Sequence, residues 1–309
     1  MTALRLGTRR SPLALAQSAV VAAALTAATG RDVELVEIVT EGDRNPGPLA
    51  ALGGAGVFTS ALRDALLAGD IDLAVHSLKD LPTAAEPGLV IAAVPPREDP
   101  RDVLVSRDDL GLGELPAGSR VGTGSPRRAA QLRALGYGLD VVDIRGNVDT
   151  RLRKVADAEV DAVVLARAGL ARLGRLDAVT EVLDPTQMLP APGQGALAVE
   201  CRSDREDVID ALATLDDTAS RVSVTAERAL LTALEAGCSA PVGALADVSD
   251  ADGPDAEVYL RAVVVAVDGS ESVRLSATGA PHEAEAVGRR LAAALLAEGA
   301  DGLMGARVP

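Results

Sequence analysis

The stretch Asp72-Leu-Ala-Val-His-Ser-Leu-Lys-Asp-Leu-Pro82 sets an ammonium, Lys79, directly beside a carboxylate, Asp80. Polar and apolar residues alternate from Asp72 to His76, which predicts a strand that runs into a polar turn, and Pro82 stops regular structure from continuing. In an open α/β sheet the loop past a strand's carboxyl end is where ligands bind. Lys79 is unusual in this composition, because Lys79 and Lys154 are the only lysines among 30 Lys and Arg residues. Taken alone, the stretch has a plainer account, in which Asp80 caps a turn and Lys79 is solvated.

A second set of charges weighs against that account. Residues 120–175 hold eleven Lys and Arg against six Asp and Glu, inside a chain of net charge −15. A basic helix face would explain the excess. Position favours another reading, since Arg127, Arg128, Arg145 and Arg172 fall at or near expected strand-to-helix junctions, where planar guanidinium groups suit bidentate pairing with carboxylates. Arg9 and Arg10 stand just before an expected helix N-terminus, whose free N–H groups favour an anion. Together these cations predict a cleft for a substrate bearing several carboxylates.

The elements that must position them follow from caps and breakers. Ser11 is a good N-cap and Pro12 suits the first helical position, so a helix is expected from Pro12 to about Thr29, ended by Gly30. It lies between strands over residues 4–7 and 33–40. A long Gly-rich loop over 41–57 reads as a lid or as disorder. A helix over 58–67 leads into the Asp72 strand, and residues 88–94 supply another strand. Pro95-Pro96-Arg97-Glu98-Asp99-Pro100 reads as a linker. The first pattern then recurs, with a strand over 119–122, the cap-then-proline device Ser125-Pro126 and a helix ending at Gly136. Strands over 140–144 and 161–166 follow, each with a helix after it. Residues 188–195 form a second hinge, and 196–201 a strand returning to the first sheet. A long helix from Asp217, three strands over 242–248, 258–267 and 272–278, and a helix over 282–298 make a small α+β domain with an antiparallel hairpin. The expected division is therefore residues 1–95 with 196–214, residues 100–190, and residues 217–309.

Composition bounds the roles. A net charge of −15 argues against nucleic acid or an anionic membrane as the partner of the whole molecule. Phe58, Tyr137 and Tyr259 are the only aromatics, which leaves no base-stacking platform. The start enters a strand directly, which predicts no signal peptide, and no apolar run is expected to reach membrane-spanning length; a cytoplasmic protein is expected. Two cysteines, Cys201 and Cys238, suggest no disulfide framework there. Neither His76 nor His282 has metal-ligand spacing, so no metal site is expected. By sequence alone both cysteines read as buried and inert.

Five motifs then stand in one order: Thr8-Arg9-Arg10-Ser11-Pro12-Leu13-Ala14-Leu15, Val75-His76-Ser77-Leu78-Lys79-Asp80-Leu81-Pro82, Gly122-Thr123-Gly124-Ser125-Pro126-Arg127-Arg128, Ile144-Arg145-Gly146-Asn147-Val148-Asp149-Thr150-Arg151 and Leu234-Glu235-Ala236-Gly237-Cys238. In order and spacing the chain resembles the hydroxymethylbilane synthase (porphobilinogen deaminase) family over essentially its whole length. The resemblance implies two similar doubly wound α/β domains of the type II periplasmic-binding-protein kind around a cleft, plus a small α+β C-terminal domain with a three-stranded antiparallel sheet. It implies a transferase that joins four porphobilinogen molecules head to tail into hydroxymethylbilane, releasing ammonia, in tetrapyrrole (haem) biosynthesis.

Loss of ammonia from porphobilinogen gives an electron-poor azafulvene, which the free pyrrole α-carbon of the growing oligopyrrole attacks. One carboxylate must move protons and stabilise a cationic pyrrole, and the resemblance gives this role to Asp80. It gives Cys238 a thioether to a dipyrromethane cofactor, held also by Lys79, Ser125, Arg127, Arg128, Arg145 and Gly146. Substrate arms fall to Arg9, Ser11, Arg151, Arg172 and Gln194, and the lid to Phe58. Cys238 follows an expected helix C-terminus, where the dipole disfavours thiolate; a single alkylation asks less of it than turnover. The lid departs from the commoner pattern, with Ala51 and Ala55 where related sequences often carry lysines. A monomer is the family expectation. The alternative is a non-catalytic solute-binding or effector-sensing protein with the same anion-binding cleft, which leaves Cys238 and the third domain without a role.

Overall fold

The computed structural model describes residues 3–39, 59–236, 240–249, 253 and 255–305. In chain order the elements are β1 (Leu4–Thr8), α1 (Pro12–Thr29), β2 (Val33–Glu37), α2 (Ser60–Ala68), β3 (Leu73–Ser77), β4 (Leu89–Ala93), β5 (Asp102–Ser106), β6 (Arg120–Gly122), α3 (Pro126–Ala134), β7 (Asp140–Val142), α4 (Val148–Ala156), β8 (Ala162–Ala166), α5 (Arg167–Arg172), β9 (Glu181–Val182), β10 (Leu197–Arg202), α6 (Glu206–Ala213), α7 (Thr218–Ala233), β11 (Val242–Ser249), β12 (Glu257–Val265), β13 (Ser272–Gly279), α8 (Ala284–Ala297) and α9 (Ala300–Leu303). They fall into two compact units, residues 1–98 with 196–221 and residues 99–195 with 222–309.

The first unit is built on a sheet of order β2-β1-β3-β10-β4. β1 is parallel to β2 and β3, while β10 runs antiparallel between β3 and β4. The return of 196–201 to this sheet is as expected. α1 forms as its caps dictate. The Ser11 hydroxyl accepts from the Ala14 N–H at 3.2 Å, and Gly30, at φ +68°, donates its N–H to Thr26 O at 2.8 Å.

One expectation is corrected here. α1 is long and apolar enough, by length and composition, to cross a membrane. Its Val21 and Leu25 are buried with Leu4, Leu6, Leu73 and Val75, so this helix covers the sheet with a narrow stripe and leaves small residues outside.

The second unit contains a sheet of order β7-β6-β8-β5-β9, with β6 parallel to β7 and β8 and β5 antiparallel to β8. Both sheets follow one plan: a central strand with a parallel neighbour on each side, then an antiparallel strand, then an edge. The strands missing from the sequence reading are β5, a five-residue run directly after the Pro-rich linker, and the two-residue β9. The same unit holds the antiparallel sheet β11-β12-β13, packed with α7 and α8 through Leu230, Val258, Leu260, Val287, Leu291 and Leu295. Ala130, Leu189, Leu245, Val263 and Val265 form a further buried cluster, which ties α3 to that sheet. Residues 222–309 thus have their own sheet and core, yet group with 99–195.

Candidate active site

In the first unit, β3 ends in a 3-10 turn, Leu78–Asp80. Leu78 and Leu81 are buried on either side of it, Leu78 N donates to Ala196 O at 3.0 Å, and Leu81 N donates to Leu78 O at 3.1 Å. Lys79 is half-buried and Asp80 exposed. The turn is therefore pinned by its apolar residues and presents its carboxylate to solvent. Ser77, just before it, accepts from Gln17 Nε2 of α1 at 2.8 Å. Arg9 and Ser11 are half-buried at the start of α1, where the Ser11 hydroxyl caps the helix, while Arg10 is exposed and pairs with Glu37 at 3.1 Å.

Behind β3 lies a buried ionic cluster. Arg63 of α2 holds Glu200 of β10 through Nε at 3.1 Å and Nη2 at 2.8 Å, and His76 Nε2 lies 3.1 Å from Glu200 Oε2. Burial opposes ionisation of Glu200, but the close approach of His76 and the hydrogen bonds from Arg63 outweigh it and hold the carboxyl at about 2. Because this lies below the unfolded value, the stabilisation is complete above about pH 4.5 and is lost as pH falls toward 2. We expect the difference in unfolding free energy between the parent and Glu200→Gln to shrink by about 3 kcal/mol over that range. Denaturant unfolding at pH 6, 4 and 3 checks this, and a pH-independent difference would count against a charged Glu200.

In the second unit, Ser125 caps α3 by accepting from Arg128 N at 3.5 Å, and Asn147 caps α4 by accepting from Thr150 N at 2.9 Å. Both caps set arginines at helix starts. Arg127 and Arg128, however, turn inward. Arg128 donates through Nε at 3.1 Å and Nη2 at 2.7 Å to Asp102 Oδ1, and through Nη1 at 3.0 Å to Val164 O. Arg127 Nη1 donates to Asp102 Oδ2 and to Leu189 O, each at 2.7 Å. Burial opposes ionisation of Asp102, but Arg127 and Arg128 outweigh it and hold the carboxyl well below the usual range.

Arg145 and Arg151 follow β7. Arg145 is exposed, with Nε 3.4 Å from Asp143 Oδ2, and Arg151 donates through Nε to Gly146 O at 2.9 Å. Burial, then the like charges of Arg128 and Arg145, push the Arg151 guanidinium below its ordinary pKa. Gly146 has φ +112°, and a Cβ there would lie 2.7 Å from Thr150 Cγ2, so this position needs glycine. Gly146→Ala should cost about 1–3 kcal/mol and displace the carbonyl that orients Arg151. We expect a lower Tm by thermal unfolding; a parental Tm would show that the loop accepts a side chain without strain.

Several expectations change in detail. Gln194 does not face outward; it is 1% exposed, and its Nε2 donates to Pro100 O at 2.7 Å and Asp102 Oδ1 at 2.8 Å. Its amide joins the arginine network around Asp102. Arg127 and Arg128 are buried, and Asp102 accepts from both. Arg172 Nη2 donates to Gly195 O at 2.6 Å. Phe58 and Cys238, like Ala51 and Ala55, lie outside the described residues. The residue that sequence reasoning missed is Asp102; the available signal was an acid opening an apolar run, Asp102-Val-Leu-Val-Ser106, next to the basic strip.

The donor set fits a ligand with carboxylates. Arg127 is 3% exposed, and its Nε is buried without a hydrogen-bond partner. An orphaned guanidinium N–H beside like-charged Arg128 suits an anion.

Two sheets of one strand plan, a pinned turn bearing a carboxylate, and clustered guanidinium groups at strand-to-helix junctions define the class: an α/β protein equipped to hold a polycarboxylate. The chain belongs to the porphobilinogen deaminase family. Residues 4–210 match the family model described as porphobilinogen deaminase, dipyromethane cofactor binding domain, and residues 222–297 match porphobilinogen deaminase, C-terminal domain. Among curated relatives, it is 62% identical to porphobilinogen deaminase 1 of Streptomyces coelicolor, over 99% of this chain and 98% of that one. It is 61% identical to the porphobilinogen deaminase of Nocardia farcinica, over 98% and 88%. The Mycobacterium tuberculosis porphobilinogen deaminase is 59% identical, over 97% and 98%. Similar solved structures include the methionine binding protein MetQ, at 16% identity and TM-score 0.42, covering 69% of this chain and 87% of that one. A Bordetella pertussis BvgS VFT2 domain has 18% identity and TM-score 0.42, covering 69% and 86%.

Proposed function

We propose that this protein is a hydroxymethylbilane synthase, which condenses four porphobilinogen molecules head to tail with release of ammonia. Each addition forms one bond between a pyrrole α-carbon and an aminomethyl carbon, breaks that carbon's bond to nitrogen, and sheds the α-proton. Asp80 is the catalytic carboxylate. Its position on a pinned, exposed turn supports a role in holding a pyrrole N–H and offsetting the positive charge that develops as ammonia leaves. Lys79 is a carboxylate partner beside it.

When bound through Cys238, dipyrromethane supplies the pyrrole α-position from which the chain grows. Its carboxylate arms are assigned to Arg127, Arg145 and Arg151, with Gly146 shaping the loop and Ser125 and Arg128 fixing the start of α3. Arg9, Ser11 and Arg172 remain assigned to substrate arms, and Phe58 to the lid. A monomer working in the cytoplasm, on small molecules and apart from membranes and nucleic acid, belongs to the same proposal.

The observation that carries this reading is the orphaned Arg127 Nε beside like-charged Arg128, in a chain related over nearly its whole length to porphobilinogen deaminases. Incubation with porphobilinogen tests it. One ammonia released per porphobilinogen consumed, with a linear tetrapyrrole as product, is the expected result. Binding of porphobilinogen without ammonia release would support the solute-binding alternative instead.

A further inference from the structure

Asp102 opens β5 and is fully buried. Its Oδ1 accepts from Arg128 Nε at 3.1 Å, Arg128 Nη2 at 2.7 Å and Gln194 Nε2 at 2.8 Å, and its Oδ2 accepts from Arg127 Nη1 at 2.7 Å. One carboxylate thus faces two guanidinium groups, and the group of three retains one positive charge. The two arginines are held differently. Arg128 offers Asp102 the Nε–Nη2 edge, the fork that pairs with carboxylates, and its Nη1 is fixed on Val164 O. Arg127 is held by Nη1 alone, between Asp102 and Leu189 O, and its Nε is buried without a partner.

We infer that Asp102 is a positioning residue for the reaction: by claiming only Nη1 of Arg127, it turns the Nε–Nη2 edge of that arginine to a carboxylate arm of the bound oligopyrrole. Gln194 and Arg128 hold Asp102 in the orientation that makes this possible. A guanidinium free to rotate would meet a carboxylate with any edge, whereas one fixed from behind meets it with the fork already set, so less ordering accompanies binding. The residual positive charge of the cluster is then neutralised by the ligand itself. This inference rests on the hydroxymethylbilane synthase reading.

The test is a double-mutant cycle on the full-length enzyme, with Asp102→Asn, Arg127→Lys and the pair. Lysine keeps the charge and can still reach Asp102 but has no fork. We expect Arg127→Lys to raise KM for porphobilinogen about tenfold, with kcat per cofactor-carrying molecule within about threefold. It should also lower the fraction of purified protein that carries the cofactor mass, read by intact-protein mass spectrometry. Asp102→Asn should do the same, and the pair should be no worse than Arg127→Lys within about twofold, since one acts through the other.

Independent, multiplying effects would overturn the inference, as would an Asp102→Asn protein with a lowered Tm but parental KM and cofactor occupancy. If Asp102→Asn fails to fold, Arg127→Lys alone decides: parental KM and occupancy in that variant would overturn the inference. A parent that makes no tetrapyrrole from porphobilinogen ends the functional reading, whereas an active parent with a multiplying cycle ends only this inference.

Discussion

Asp80→Asn is expected to fold with the parental Tm and to lose at least about 100-fold in tetrapyrrole formation. The two halves of that expectation come from the same turn. Asp80 is exposed, while Leu78 and Leu81 on either side are buried and the Leu78 N–H is tied to Ala196 O. An isosteric amide therefore removes a charge without removing a packing contact, so stability stays and any loss belongs to chemistry. Departure of ammonia places positive charge on a pyrrole ring. A fixed carboxylate stabilises that charge in the transition state more than in the ground state, so its loss falls on kcat. Asp80→Glu keeps the charge at a displaced position and should lose less than the amide. Steady-state ammonia release with the two variants and the parent measures the difference. Near-parental kcat for Asp80→Asn would remove this residue from the mechanism.

The residues differ in how far the sequence discloses them. α1 was legible to the residue, because Ser11, Pro12 and Gly30 act through local geometry that a one-dimensional reading captures. The common plan of the two larger sheets was legible through repetition of the cap-then-proline device at Ser125-Pro126. β5 was not, since a short apolar run after a linker has no periodicity to distinguish it from loop. Losing β5 hid Asp102, and without Asp102 the arginines at 127 and 128 could only be read as ligand grips. The Glu200 cluster is invisible for a different reason. Arg63 and Glu200 are 137 positions apart, and only the antiparallel return of β10 between β3 and β4 makes them neighbours. Charge composition locates a basic strip, but which edges of its guanidinium groups remain for a ligand is a property of the packing behind them.

Cys238→Ala is expected to yield protein without the cofactor mass, without tetrapyrrole formation and with a lower Tm, whereas Cys201→Ala stays close to the parent in the first two respects. The contrast follows from what each thiol can do. Cys201 sits fully buried in β10, and burial pushes its thiol up to about 11, so it offers neither access nor thiolate to an electrophile. Its removal is a core truncation costing about 1 kcal/mol. The proposed function gives the Cys238 thiol a thioether. A ligand that binds the folded state raises its stability, and a covalently retained one cannot be lost by dilution. The Tm of Cys238→Ala should therefore fall because the cofactor is missing and not because a thiol is. Parent protein produced in cells unable to make porphobilinogen separates the two causes: it should share the low Tm of Cys238→Ala and recover on addition of porphobilinogen, while Cys238→Ala should not. A Cys238→Ala protein that still converts porphobilinogen to tetrapyrrole would end the attachment hypothesis, and loss of the added mass in Cys201→Ala instead would move the thioether to β10.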